Sequence, residues 1–233
     1  MTEETRVPKP RYYPMFCDLT GRRVLVVGGG KVARRKVKAL LASGADVEVV
    51  SPELEPQLDA LVRSGEIEWR PRGFLPEDCE GAWLIIAATD DEAVQQEVFR
   101  QAEARQIFCN VVDRPEVCSF IVPSQVRRGD LCLAISTGGQ SPALAKALRK
   151  RLEAQFPEAW GLFVELAGEL RRLILAGAEA PPSPETLERC AEVADLRVPE
   201  WIGKGQVSRV EEWAAGLCGP EGRDAAARVL RNR

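Results

Sequence analysis

The sequence predicts an α/β protein: a doubly wound parallel sheet, then a hairpin, then a helical carboxy-terminal region. Three observations carry this. Short apolar runs alternate with helical patterns through the first half of the chain, and a glycine-rich turn sits directly between the first run and the first helical pattern. After Pro115 the alternation gives way to two apolar stretches around a polar RRGD centre, followed by helical patterns alone.

RVLVV (23–27) is a continuous β-branched and leucine run, as expected for a strand covered on both faces. In the following GGGKVARRKVKALLASG, Val32, Ala33, Lys36, Val37, Leu40 and Leu41 recur at helical spacing, and Gly44 is placed to end the helix. DVEVVSPE (46–53) supplies a second strand, Pro56 to Ser64 a short helix, IEWRPRGF a short third strand and WLIIAATDD (83–91) a fourth. Asp90 or Asp91 is placed to cap the helix EAVQQEVFRQAEARQ, and IFCNVVD is a fifth strand ending on Asp113. SFIVPSQVRRGDLCLAIST reads as a β-hairpin. GGQSP then leads into ALAKALRKRLEAQF, with Ser141 as N-cap and Pro142 in the first helical position. AWGLFVELAGELRRLILAG is amphipathic, AEAPPSPE is linker-like, and weaker helical patterns run on to Arg233.

The 233 residues are 45% hydrophobic, enough for a buried core, and carry a formal net charge of -3. That balance offers no electrostatic reason for nucleic acid or an anionic membrane as partner, so an anionic ligand must be met by local basic clusters. The amino-terminal MTEETRVPKPRYYP is polar and proline-broken, and no window reaches the ~18 apolar residues of a membrane span. A cytoplasmic protein is expected. Its seven cysteines form no C-x-x-C pair and sit mostly in apolar runs, so buried thiols are expected and a metal site is not. There is no histidine, which leaves acid–base chemistry to carboxylates, hydroxyls, thiols or lysine.

Gly28-Gly29-Gly30-Lys31-Val32-Ala33 is a G-x-G-x-x-A between strand and helix. Gly28 allows the tight turn, Gly30 lets the backbone approach a pyrophosphate, and Ala33 lets helix and strand pack closely, as in a Rossmann-like dinucleotide site. The helix N-terminus then offers free N–H groups to the phosphates. No acidic residue stands at the end of the second strand. Val50-Ser51-Pro52-Glu53 stands there instead, which leaves NAD against NADP open, and Ser51, Pro52 and Glu53 either line the adenosine ribose or form a solvated proline turn. Asp113 ends the fifth strand at the carboxyl edge of the sheet, where ligands bind in such folds; it either serves chemistry there or caps its own Asp-Arg-Pro turn. STGGQSPALAKALRKR joins a hydroxyl-bearing glycine turn to a helix N-terminus and a basic face.

MFCDLTGRRVLVVGGGKVARRK, AATDDEAV, IFCNVVDRPEVCSFIVPS and ISTGGQSPALAKALRKRLE, in this order and spacing, resemble the siroheme synthase N-terminal module family. The resemblance runs from about Phe16 to Glu153, more faintly to about Leu175. It implies precorrin-2 dehydrogenase activity: NAD takes two electrons from an octacarboxylate tetrapyrrole to give sirohydrochlorin, and bifunctional members then insert iron as ferrochelatases. It implies that Lys31, Val32, Pro52 and Glu53 contact NAD, with Gly28, Gly30, Ser51 and Thr89 beside them, and that Asp113 is the catalytic proton acceptor. Arg114, Ser119, Thr137, Gly138 and Lys146 are the candidate substrate contacts, with Arg127, Arg128 and Arg149 as further cations for its carboxylates. Thr137 stands where some fused members carry a phosphorylatable serine. The resemblance also implies a homodimer whose hairpin segment exchanges across the two-fold axis.

The expected organisation is therefore a nucleotide-binding domain over 1–113, a dimerisation segment over 114–147 and a helical domain over 148–233 with a linker near 176–184. The chain is too short for the methyltransferase domain fused to this module in some members, so a stand-alone dehydrogenase is expected. The alternatives are a bifunctional dehydrogenase and ferrochelatase, and a non-catalytic NAD-sensing module. No motif carries over beyond Ala176.

Overall fold

A computed structural model describes residues 12–178 and 180–231; the first eleven residues of the polar amino-terminal stretch lie outside the described residues. The chain divides into two compact units, one up to Val122 and one from Pro123.

The first unit alternates strands and helices: β1 (Arg23–Val27), α1 (Lys31–Leu41), β2 (Asp46–Val50), α2 (Pro56–Arg63), β3 (Glu68–Arg70), a 3-10 turn over Pro76–Cys79, β4 (Leu84–Ala87), α3 (Glu92–Ala104) and β5 (Phe108–Val111). The sheet is parallel throughout, in the order β3-β2-β1-β4-β5. Successive strand residues point to opposite faces, and both faces are buried here. Val24, Val26, Val47, Val49, Leu84 and Ile86 meet Ala33, Val37 and Leu40 of α1 and Leu58 of α2. Leu25, Val27, Val50, Ile85, Ala87 and Val111 meet Val98 and Ala102 of α3. That two-sided burial is why the strands read as unbroken apolar runs.

Four expected strands are shorter than the segments assigned to them. The second ends at Val50, the third at Arg70, the fourth at Ala87 and the fifth at Val111, with Asp113 two residues beyond it. The backbone at Asp113 turns into the left-handed region, φ +61°, which ends strand pairing. The unit boundary also falls at Val122 rather than at Asp113, because 114–120 is tied back onto β5. The Ser119 hydroxyl accepts from the Cys109 N–H at 2.7 Å, and the Asn110 amide donates to the Phe120 carbonyl at 3.0 Å.

Asp78 is fully buried in the 3-10 turn. Its carboxylate accepts from Arg70 at 2.8 Å, from Arg72 at 2.6 and 2.8 Å, and from the Leu75 N–H at 2.8 Å. Burial alone would raise its pKa, but the hydrogen bonds from Arg72 and Leu75 outweigh burial and hold the carboxyl below its ordinary value. A folded pKa below the unfolded one stabilises fully above the unfolded value, about 3.9, and is lost as pH falls through the lower folded value. Urea unfolding of Asp78→Asn is therefore expected to show a loss of about 1–3 kcal/mol at pH 6, and a shallower decline than wild type below about pH 4. Equal stability at pH 6 would mean that the three donors contribute nothing net.

All seven cysteines are free thiols. Cys79 and Cys109 are buried, and burial pushes their pKa values up to about 11 and about 12. Only these two fulfil the expectation of buried thiols; Cys118, Cys132, Cys190 and Cys218 are half-buried and Cys17 is exposed.

The second unit opens with the antiparallel hairpin β6 (Ser124–Arg128) and β7 (Leu131–Ile135), joined through Gly129 at φ +53° and Asp130. Its first strand starts at Ser124 rather than Ser119, since Phe120 packs into the first unit's core. Helices follow: α4 (Pro142–Gln155), α5 (Ala159–Ala176), α6 (Pro184–Glu192), α7 (Val198–Gly203) and α8 (Val207–Arg231). Ser141 caps α4 by accepting from the Leu144 N–H, as expected. Phe163, Leu166, Leu170 and Ile174, spaced along one face of α5, pack against Val210, Ala214, Ala225 and Val229 of α8 and Trp201 and Ile202 of α7. Non-helical backbone at Cys218 and Gly219 kinks α8 just before Pro220, which lacks an N–H to continue the ladder. No helix of the described residues is long and apolar enough to cross a membrane.

Candidate nucleotide-binding and active site

The strand order reverses between β1 and β4, and that is where the carboxyl ends of a doubly wound sheet open a crevice. Gly28 sits there at φ +118°, donating its N–H to the Val50 carbonyl at 2.9 Å. A Cβ on Gly28 would stand 2.3 Å from the Ala88 carbonyl oxygen, so the turn after β1 and the turn after β4 touch backbone to backbone. Gly29 is equally constrained, although the motif assigns it no role: its Cβ would lie 2.0 Å from the Glu53 carbonyl, and its own carbonyl accepts from the Glu55 N–H at 2.8 Å. Gly30 differs. It is exposed, with nothing within 4 Å of where its Cβ would be. It is also the N-cap of α1, and no side chain caps that helix. Lys31 and Val32 form the first turn. Uncapped N–H groups, positive dipole and open space suit a phosphate.

On the second strand's side, Ser51 is buried; its hydroxyl donates to the Glu53 carbonyl at 2.8 Å and its carbonyl accepts from the Trp69 indole at 2.9 Å. Ser51 thus shapes the loop, while Pro52 and Glu53 are the exposed members of that trio. Thr89 follows β4. Its carbonyl accepts from the side chain of Gln95 at 2.6 Å, and its hydroxyl accepts from the Asp91 N–H at 3.3 Å. Asp91, not Asp90, caps α3, accepting from the Ala93 and Val94 N–H groups. Gln95 escaped the motif reading, since a glutamine in a polar helix turn carries no signal.

Asp113 is exposed, and no hydrogen bond among the described residues takes up its carboxylate. The turn is held instead by the Arg114 N–H on the Val111 carbonyl at 3.3 Å and by Cys118, whose thiol accepts from the Val111 N–H and lies 3.2 Å from the Val111 and Arg114 carbonyls. The carboxylate is thus not the cap of its own turn. Arg114 pairs with Glu116 at 3.0 Å, and its Nη1 is buried without a hydrogen-bond partner among the described residues. Ser119 also donates to the Cys109 carbonyl at 3.2 Å, so its hydroxyl closes the loop onto β5.

The first unit thus gathers Gly28, Gly30, Lys31, Val32, Ser51, Pro52, Glu53, Thr89, Asp113, Arg114 and Ser119 on the turns beyond its strands. Thr137, Gly138 and Lys146 belong to the second. There the Thr137 hydroxyl donates to the Ser141 carbonyl and accepts from the Ser141 N–H, both at 3.1 Å, which closes the turn before α4. Gly138 stands in that turn at φ +59°, and Lys146 is exposed on α4.

Residues 15–124 match the family model described as putative NAD(P)-binding, and 128–155 match the sirohaem biosynthesis protein central model. Siroheme synthase 3 of Aeromonas hydrophila subsp. hydrophila is 47% identical over 165 residues, 71% of this chain and 35% of that protein. Siroheme synthase 1 of the same organism is 40% identical over 206 residues, 88% of this chain and 44% of that protein. Among solved structures, SirC, precorrin-2 dehydrogenase, superposes with a TM-score of 0.73 at 29% identity, covering 88% of this chain and 98% of that one. The chain belongs to the siroheme synthase N-terminal module family. This siroheme synthase module spans less than half the length of these curated relatives. A match of 206 residues necessarily extends beyond Ala176 and takes in the segments that form α6 and α7, although no short motif marks them. Helices packed through apolar spacing conserve a pattern rather than a word.

Proposed function

We propose that this siroheme synthase module oxidises precorrin-2 to sirohydrochlorin with NAD as hydride acceptor, Asp113 taking up the proton released as conjugation extends. The observation that carries it is an uncapped glycine turn open at Gly30 together with a carboxylate beyond β5 that no hydrogen bond within its own turn engages, in a fold shared with a precorrin-2 dehydrogenase. The residues suit the cofactor. The α1 N-terminus with Lys31 and Val32 would hold its pyrophosphate, Pro52 and Glu53 its adenosine side, and Thr89 the turn facing it. When bound there, NAD supplies the two-electron acceptor. The protein's own task is placement, since hydride transfer needs the reacting carbons at roughly 3–3.5 Å. In a chain without histidine, a carboxylate is one of the few bases available.

Thr137, Gly138, Lys146 and Arg149 are the further candidate contacts for the substrate's carboxylates. We infer a homodimer as well, supported by Leu144 and Leu148 of α4, 51% and 38% exposed, and by a two-stranded hairpin that is marginal without further packing. The test is anaerobic incubation of the full chain with precorrin-2 and NAD, followed at the NADH absorbance. NADH formed in step with sirohydrochlorin is the expected result. If NAD binds but no NADH forms, the NAD-sensing alternative replaces this one.

A further inference from the structure

Lys36 stands among Ala33, Val37 and Leu40, the residues with which α1 meets the sheet, and its side chain is half-buried. Helical side chains lean toward the N-terminus of their helix, and α1 begins directly after the glycine turn at the carboxyl edge of the sheet. The four-carbon stem therefore carries the ammonium back toward that edge. Val112 and Phe120, on either side of the Asp113 turn, pack against the same core as Ala33 and Val37, which sets α1 beside the segment that follows β5; the ammonium there feels the charges of the Asp113 carboxylate and the Cys118 thiol.

Of the cations nearby, Arg34 reaches Glu55 at 3.3 Å, Lys38 reaches Gln57 at 3.2 Å and Arg114 pairs with Glu116, while Lys31 and Arg35 stand exposed to solvent. Lys36 enters no ion pair or hydrogen bond among the described residues, and Asp113 is beyond salt-bridge distance. Burial first, and then the adjacent Arg35, weakens the ammonium's hold on its proton, while Cys118 and Asp113 act the other way. A partly desolvated ammonium without a close anion is unfavourable. An anion arriving beside Asp113 would remove that penalty, and a charge-assisted hydrogen bond to a carboxylate is among the stronger polar contacts.

We propose that Lys36 is a substrate-binding residue, its ammonium receiving one carboxylate of the tetrapyrrole beside Asp113. This rests on the precorrin-2 reading above. It adds a contact from the first helix of the nucleotide-binding unit to those expected from Arg114.

The test is equilibrium titration of the full chain with sirohydrochlorin, the octacarboxylate product, followed by its absorbance, for wild type, Lys36→Met and Lys36→Arg. Met keeps the stem and removes the charge; Arg keeps both. Expected is a ten- to hundredfold weaker sirohydrochlorin Kd for Lys36→Met, a matching rise in KM for precorrin-2 with kcat little changed, and near-wild-type binding for Lys36→Arg. The NAD Kd should be unaltered in all three. A sirohydrochlorin Kd within twofold of wild type overturns the inference, whatever happens to thermal stability. So does an NAD Kd weakened by the same factor, which would make Lys36 a cofactor contact. Should Lys36→Met fail to fold, Lys36→Gln serves under the same criteria. The titration needs no turnover, so a wild type that binds sirohydrochlorin but forms no NADH sinks the oxidation reading alone, and one that binds no tetrapyrrole sinks both.

Discussion

Asp113→Asn is expected to lower precorrin-2 oxidation by about a hundred- to ten-thousandfold, the range typical of a lost general base, while leaving the fold and NAD affinity intact. Asparagine is one of the few residues that tolerates the φ of +61° found there. The carboxylate takes no hydrogen bond within its turn, so the exchange breaks no structural contact, and the side chain is exposed. Loss of activity can then be assigned to the missing base. Steady-state rates, an NAD titration and thermal unfolding on the same preparation check all three parts. A variant that keeps more than a tenth of wild-type kcat would move the proton to solvent or to another group.

Gly28→Ala and Gly30→Ala should separate folding from cofactor binding within a single turn. A methyl group on Gly28 faces both an unfavourable φ of +118° and the Ala88 carbonyl oxygen at 2.3 Å. Backbone cannot step aside as a side chain can, and strain and overpacking together should cost about 3–5 kcal/mol. A methyl group on Gly30 meets nothing within 4 Å, and the backbone φ there is an ordinary -87°. Stability should then stay within about 0.5 kcal/mol, while NAD binding weakens about tenfold or more if the pyrophosphate lies against that residue. Urea unfolding and an NAD titration give the two readouts. Equal NAD affinity for Gly30→Ala and wild type would place the phosphates elsewhere.

Both experiments bear on residues that differ in how visible they were in the chain. The alternation of apolar runs with helical spacing was enough for the parallel sheet, because each strand is buried on both faces and each helix on one. Gly28 and Gly30 were legible through the strand-glycine-helix context, and Ser141 and Asp91 through cap chemistry. Gly29 was not assigned, because its constraint comes from the Glu53 carbonyl, twenty-four positions away in sequence. Cys118 was missed because the backbone groups it holds come near only when the 111–118 loop folds back, and Gln95 because nothing in its helix turn marks it.

The strand that appeared to end on Asp113 illustrates the division. Local pattern dictated that a buried apolar run stops near this carboxylate, and the absence of histidine made the carboxylate chemically conspicuous. Pattern could not say that pairing stops at Val111, that the chain turns left-handed at Asp113, or that Cys118 rather than the aspartate holds the turn. Nor could it place Lys36 beside that turn from the first helix. Periodicity, caps and glycine turns depend on neighbours a few residues apart, so the chain alone dictates them. Steric contact between turns, orphaned charges and the groups that face one another across a sheet edge depend on distances between remote residues, and those exist only once the chain has packed.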